Sequence, residues 1–197
     1  MKRLQLLLLL LVFALSVPFA AADTILNLNI NNLGFVGSVG TVTLHDTGTG
    51  VLVTLQANTV GGFSFKLKGG DVFFNSSATI TAAMISGLTA DGVPVTDTFS
   101  LHSPAPLGKF GYDLRNLRGS AVFANTISFF ISGVSSSQLG NFGVHFFCAA
   151  GTPCGGANGN TGFAIGGGSS VPEPGTLSLL GTGIVGIAGL FRRRFLS

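Results

Sequence analysis

Cys148 and Cys154, the two cysteines of this 197-residue chain, stand six positions apart around Gly151-Thr152-Pro153. Two thiols flanking a Gly-Pro turn have three chemical outcomes. In an oxidising compartment the simplest is a disulfide, worth about 2 to 2.5 kcal/mol on the loop-entropy account. His145 lies three residues before Cys148, so a zinc site drawn from His145, Cys148 and Cys154 can also be written; it lacks a fourth ligand and the usual short cysteine spacing. A pair of free thiols is the third outcome. The expectation taken forward is the disulfide, with no metal site.

Other groups capable of chemistry are sparse. His45, His102 and His145 each fall at a polar position or an end of a strand-like run, and no Gly-x-Ser-x-Gly elbow or other nucleophile setting accompanies them. His45 and Asp46 are neighbours, so on a strand they face opposite ways. Asp91 and Asp97 are the closest pair of aspartates, and no Asp-x-Asp loop supplies the dense oxygen ligands that calcium takes. No phosphate-cradling or dinucleotide glycine pattern occurs. Thr41-Val42-Thr43 and Thr79-Ile80-Thr81 are two isolated Thr-x-Thr instances, which ordinary β-propensity explains better than an ice-binding array. These residues therefore predict no catalytic group and no cofactor, with turn, cap and hydrogen-bonding roles for the aspartates and histidines.

Both ends of the chain read as addresses. Met1-Lys2-Arg3, the apolar run Leu4 to Val17 and Pro18-Phe19-Ala20-Ala21-Ala22 give the charged, apolar and small-residue order of a secretory signal peptide over residues 1–22, with cleavage between Ala22 and Asp23. Signal peptidase and the Sec translocon are the implied partners. At the other end come Pro172-Glu173-Pro174, an apolar run from Gly175 to Phe191 and Arg192-Arg193-Arg194. As a helix, residues 175–191 span about 26 Å, just enough for the roughly 30 Å of a bilayer core. The arginines favour the cytoplasmic side, which leaves the bulk of the chain outside. The two prolines keep helix from extending back through the motif, so an extended segment is left for a protease.

Pro172-Glu173-Pro174, the Gly-rich apolar stretch and the closing arginines, in this order and at the extreme C-terminus, resemble the PEP-CTERM sorting signal, also labelled an ice-binding-protein C-terminal domain. The resemblance covers residues 172–197. It implies recognition by an exosortase, a membrane-embedded cysteine protease or transpeptidase of Gram-negative bacteria that also make extracellular polysaccharide. It further implies a transient stay in the inner membrane and then the cell surface or the extracellular space. Nothing about the cargo follows from it.

The formal net charge of +3 sits in the addresses, since Lys2, Arg3 and Arg192 to Arg194 are half of the ten basic residues. Between Asp23 and Val171 remain Lys66, Lys68, Lys109, Arg115 and Arg118 against Asp23, Asp46, Asp71, Asp91, Asp97 and Asp113. Without a basic patch there is nothing to release counterions from a phosphate backbone, which excludes nucleic acid as a partner.

The elements between the addresses alternate with period two. Val42 and Leu44 alternate with Thr41 and Thr43, Val51, Val53 and Leu55 with Thr54 and Gln56, and Phe63, Phe65 and Leu67 with Ser64, Lys66 and Lys68. Ile80, Ala82 and Met84 alternate with Thr79 and Thr81, Phe99 and Leu101 with Thr98, Ser100 and His102, and Ile127, Phe129 and Ile131 with Thr126, Ser128 and Ser132, while Val144, Phe146 and Cys148 end the series. Turn signals separate them at Asp46-Thr47-Gly48, Gly61-Gly62, Gly69-Gly70-Asp71, Asp91-Gly92 and Ser103-Pro104-Ala105-Pro106. The prediction is an all-β domain over residues 23–165, an antiparallel β-sandwich for which a jelly-roll is one form, with a Phe-rich core from 18 phenylalanines and no tryptophan. The runs are too short for an outer-membrane barrel. Residues 151–170 turn Gly/Asn/Ser-rich and are expected to stay flexible, ending in a linker at 166–171. The fold is thus flanked by a signal peptide and a C-terminal transmembrane helix.

The function expected from this pattern is a non-enzymatic structural or glycan-binding role in exopolysaccharide or biofilm, in which an uncharged Thr/Ser/Asn surface meets sugar hydroxyls. A secreted hydrolase on a β scaffold and an adhesin or self-assembling surface protein are the alternatives.

Overall fold

Along Thr126–Ser132, Ile127, Phe129 and Ile131 are fully buried while Thr126, Ser128, Phe130 and Ser132 take the more accessible side. A strand with one wet and one dry face has this alternation, and most of the chain repeats it. The computed structural model describes residues 23–105, 107–118 and 121–167, together with Gly183. The expected signal peptide, sorting motif, membrane span and arginine cluster lie outside the described residues. Among the described residues no helix is long and apolar enough to cross a membrane.

In chain order the strands are β1 (Thr24–Asn27), β2 (Ile30–Asn31), β3 (Gly40–Asp46), β4 (Gly50–Ala57), β5 (Phe63–Lys66), β6 (Gly70–Ser76) and β7 (Ile85–Ala90). Then follow β8 (Val93–Pro94), β9 (Thr96–Ala105), β10 (Gly108–Arg118), β11 (Phe123–Ala124), β12 (Thr126–Ser132), β13 (Leu139–Cys148) and β14 (Asn160–Gly166). One sheet runs β1-β3-β4-β12-β7-β8, and the other β11-β5-β13-β6-β10-β9 with β14 against β13 and β2 against β14. Every pairing is antiparallel.

The two sheets share one core. Val42, Leu44, Val53, Leu55 and Phe129 from the first sheet join Phe65, Val72, Phe74, Phe142 and Phe146 from the second. Phe74 stacks on Phe142 at 5.6 Å and on Tyr112 at 5.3 Å, and meets Phe129 of the opposite sheet at 6.2 Å. Aromatic contacts of this kind add about 0.5–1.5 kcal/mol each beyond burial of area. Tyr112 then pins the loop beyond β6: its hydroxyl accepts from the Ile80 N–H at 3.0 Å and donates to the Ala78 carbonyl at 3.1 Å.

β5 and β6 lie in tandem along one edge of β13. Phe63–Phe65 pair with Cys148–Phe146, and Val72–Phe74 pair with Val144–Phe142. Residues 66–71 leave the ladder between these two stretches, beside His145.

Four local expectations are corrected. Ile80 to Met84 is not a strand: Ala82–Met84 is a 3-10 turn, because the Ile80 N–H is held by Tyr112 and Met84 N–H bonds back to Thr81. Ser103-Pro104-Ala105 continues β9 rather than turning, since an edge strand tolerates proline's missing donor. Gly70 and Asp71 open β6 rather than a turn, placing Val72 and Phe74 in the core. Asn160–Gly166, expected to be flexible, is a strand held in register with Cys148–Phe142. Its glycines fit because the backbone is crowded there: a Cβ on Gly166 would sit 2.3 Å from the Asn27 carbonyl oxygen.

Candidate functional site

The end of the fold carrying Cys148 holds an open concavity. Cys148 is buried at the last position of β13, paired with Phe63 on one side and Asn160 on the other. Beyond it the chain turns through Gly151-Thr152-Pro153 and returns to Cys154, and the two cysteines form a disulfide with a Cα–Cα separation of 6.0 Å. The Thr152 hydroxyl donates to the Ala149 carbonyl at 2.6 Å, and the Ala149 N–H bonds to Gly62 at 2.9 Å. Gly155 is obligatory in this turn, since a Cβ there would lie 1.8 Å from the Ala149 carbonyl oxygen.

Two further segments face that turn. Asn31 shapes the first, its side chain donating to the Phe35 carbonyl at 3.0 Å and accepting from the Leu33 N–H at 3.1 Å. Phe35 stacks on Phe63 at 4.9 Å and meets Phe146 edge-on at 6.2 Å. In the second, the Asn58 side chain accepts from the Gly61 N–H and donates to the Ser38 carbonyl, both at 3.1 Å. Leu33, Phe35, Ser38, Asn58, Phe63 and Pro153 line an open cleft of about 450 Å³. A shallower depression of about 220 Å³ shares Ser38 and Asn58 and continues over Asn27, Thr41 and Gln56. No charged residue lines either space. Aromatic and aliphatic surface rimmed by amides and hydroxyls suits a neutral polar ligand.

The titratable groups do structural work elsewhere. Asp46 accepts from the Ser136 N–H at 2.8 Å and from its hydroxyl at 2.5 Å. Asp91, in the left-handed region at φ 49°, accepts from the Asn125 and Thr126 N–H groups at 3.0 and 2.8 Å. The Asp71 carboxylate accepts from the Asn116 N–H at 3.1 Å; burial nevertheless pushes its pKa up, against that bond and the charges of Arg115 and Lys66. Arg115 Nε donates to the fully buried Asp113 at 2.6 Å.

The histidines do not form one site. His45 Nδ1 lies 2.5 Å from Asp23 Oδ1, which ties the first described residue to β3. His102 belongs to β9. His145 stacks on Phe163 at 4.3 Å, and burial, followed by the charge of Lys66, lowers its pKa to about 4 against a hydrogen bond with the Gly69 backbone. His145 and Cys148 are an odd number of residues apart on one strand, so they face opposite sides of the sheet. With both cysteines oxidised, the zinc set written from the sequence loses its thiolates. Among the described residues no group of three or more His, Cys, Asp or Glu is placed to hold a metal.

Of the residues singled out in the sequence, Asp23, Cys148 and Cys154 are placed by the structure; Ala22, Pro172, Glu173, Pro174, Arg192, Arg193 and Arg194 lie outside the described residues. Phe35 and Asn58, central to the cleft, are not evident from periodicity. The available signal was a phenylalanine inside Gly34-Phe35-Val36-Gly37, a loop too short of apolar neighbours to bury it locally.

Neither a curated protein nor a solved structure matches the chain. Residues 170–194 match one family, described as the PEP-CTERM protein-sorting motif. The stretch includes the Pro-Glu-Pro triplet, the apolar run and the arginine cluster, so this chain carries a PEP-CTERM sorting signal and is an exported exosortase substrate bound for the cell surface or the extracellular space.

Proposed function

We propose that the exported domain is a non-enzymatic, glycan-binding or structural component of an exopolysaccharide-rich matrix. In this reading a Gram-negative cell exports the chain through the Sec translocon, signal peptidase cuts before Asp23, and the helix over 175–191 holds the domain briefly in the inner membrane. Exosortase then cuts near Pro172-Glu173-Pro174. The observation that carries the reading is the sorting motif at 170–194, joined to a domain with an open aromatic cleft that has no charge in its lining.

The cleft supports a sugar ligand in two ways. Phe35 offers apolar surface for the C–H face of a pyranose, and the amides and hydroxyls of Asn27, Thr41, Gln56 and Asn58 retain spare donor and acceptor capacity for its hydroxyls. Uncharged surroundings match a neutral or weakly charged polymer better than a phosphorylated one.

The test is titration of the secreted protein with oligosaccharides from the producing cell's own polysaccharide, followed by two-dimensional NMR. Shifts confined to residues 31–38 and 56–63, lost in Phe35→Ala, are the expected result. Glycan arrays without binding, together with unchanged biofilm architecture in a deletion strain, would remove the proposal.

A further inference from the structure

Four of the five sheet borders among the described residues are short. β1 has four residues, and β8, β11 and β2 have two each; where β14 runs past β2, Asn32 bonds to Phe163 through both its backbone and its side chain. The fifth border is β9, ten residues long, which pairs with β10 on one side and with no described strand on the other. Such a border is a template for another strand. Of the devices that keep such a border single, β9 has no lysine; Pro104 removes one donor near its C-terminal end only, and Asp97 is its one acidic residue. Leu101 on this strand is 54% exposed.

We infer that β9 is a self-association edge, pairing antiparallel with β9 of a second copy so that the sheet continues across a two-fold axis at Ser100. A two-fold axis perpendicular to the sheet keeps each face on its own side, so the paired residue numbers must add to an even total. With Ser100 opposite Ser100, Phe99 falls opposite Leu101 of the second copy, giving two apolar cross-strand pairs that cover the exposed leucines. Asp97 falls opposite position 103, and the two Asp97 carboxylates stand about 20 Å apart, beyond mutual repulsion at physiological salt. Moving the axis to Phe99 would set Asp97 against Leu101, which disfavours that register. The occupant is a second copy of this chain, because the edge complements itself in apolar pattern, Phe99 against Leu101, and in this register sets no carboxylate against another.

The register gives a direct test. The described cysteines are both in the disulfide, so a single introduced thiol reports alone. Directly opposed residues of antiparallel strands have Cα atoms about 4.5–5.5 Å apart, within disulfide range. The full-length chain bearing Ser100→Cys, expressed in its native membrane and mildly oxidised, is expected to give a covalent dimer at least ten-fold more abundant than the chain bearing Gln56→Cys, whose position is exposed on β4 of the other sheet. Adding Leu101→Lys to Ser100→Cys is expected to abolish the dimer. Equal crosslinking at positions 56 and 100, or crosslinking untouched by Leu101→Lys, overturns the inference. Sedimentation of the unmodified secreted protein guards against a misfolded variant: monomer at every concentration up to the millimolar range overturns it as well, and a concentration-dependent dimer that Leu101→Lys weakens ten-fold or more upholds it.

Discussion

Breaking the Cys148–Cys154 bond probes both the stability of the fold and the shape of its cleft. The cysteines are 6 positions apart, a short loop, and the chain-entropy relation assigns its closure about 2.2 kcal/mol. Near the unfolding midpoint a domain of this size shifts by about 2–4 °C per kcal/mol, so reduction should lower the midpoint by about 4–9 °C. The loss has a local signature too, because Pro153 and Cys154 form one wall of the cleft and the turn behind them is held otherwise by Thr152, Ala149 and Gly62. The assay is calorimetry of residues 23–170 with and without reductant, with alkylation and mass measurement to verify two free thiols, followed by limited proteolysis. Cleavage should appear first between 149 and 159. An unchanged midpoint with both thiols alkylated would refute the loop-entropy reasoning. Complete unfolding at room temperature would refute it from the other side, by showing that the bond holds the Phe63 and Phe146 packing as well as the turn.

Other perturbations have equally definite outcomes. His145 has a folded pKa of about 4 against an ordinary 6.5, so the unfolded chain binds the extra proton between these values and stability falls as pH drops through that window. Allowing for the ring's partial solvent access, the loss should be about 1–2 kcal/mol by urea titration at pH 7 and pH 4, and His145→Phe should remove most of it. Phe74→Ala deletes the ring that contacts Tyr112, Phe129 and Phe142 and should cost about 3–5 kcal/mol in the same titration. Replacing Pro172, Glu173 and Pro174 by alanine should leave a longer, membrane-retained product on an immunoblot of cell fractions, whereas normal size and release would contradict exosortase processing.

Much of the fold was legible because burial follows alternation. β3, β4, β5, β12 and the end of β13 place Val42, Leu44, Val53, Phe65, Phe129 and Phe146 inward as their period-two patterns require. β10 escaped notice although Phe110, Tyr112 and Leu114 alternate, because Asp113 and Arg115 look like surface residues; the structure places Asp113 wholly out of solvent beside Arg115. β14 was concealed by composition, since Gly162 and Gly166 read as linker when taken singly and as close-packed strand only when Leu33 and Asn27 are seen against them. The cysteine pair was legible from its spacing around a Gly-Pro turn taken together with the export signals, which imply an oxidising compartment. The cleft was not, because Phe35, Asn58 and Pro153 are brought together by strand pairings between distant segments, and a single sequence records no such neighbourhood.

Consider finally the timetable imposed by β14. It is the last strand among the described residues, yet it zips onto β13 and receives β2, whose Ile30 and Asn31 lie near the start of the domain. Until residues 160–166 are available, β2 has no partner and β13 keeps one edge unpaired, so this sheet closes only once the C-terminal part of the domain is present. Maturation and delivery of the sorting tail at 170–194 therefore become nearly simultaneous events. A chain stopped at residue 159 should be degraded by envelope proteases rather than persist as a smaller version of the fold.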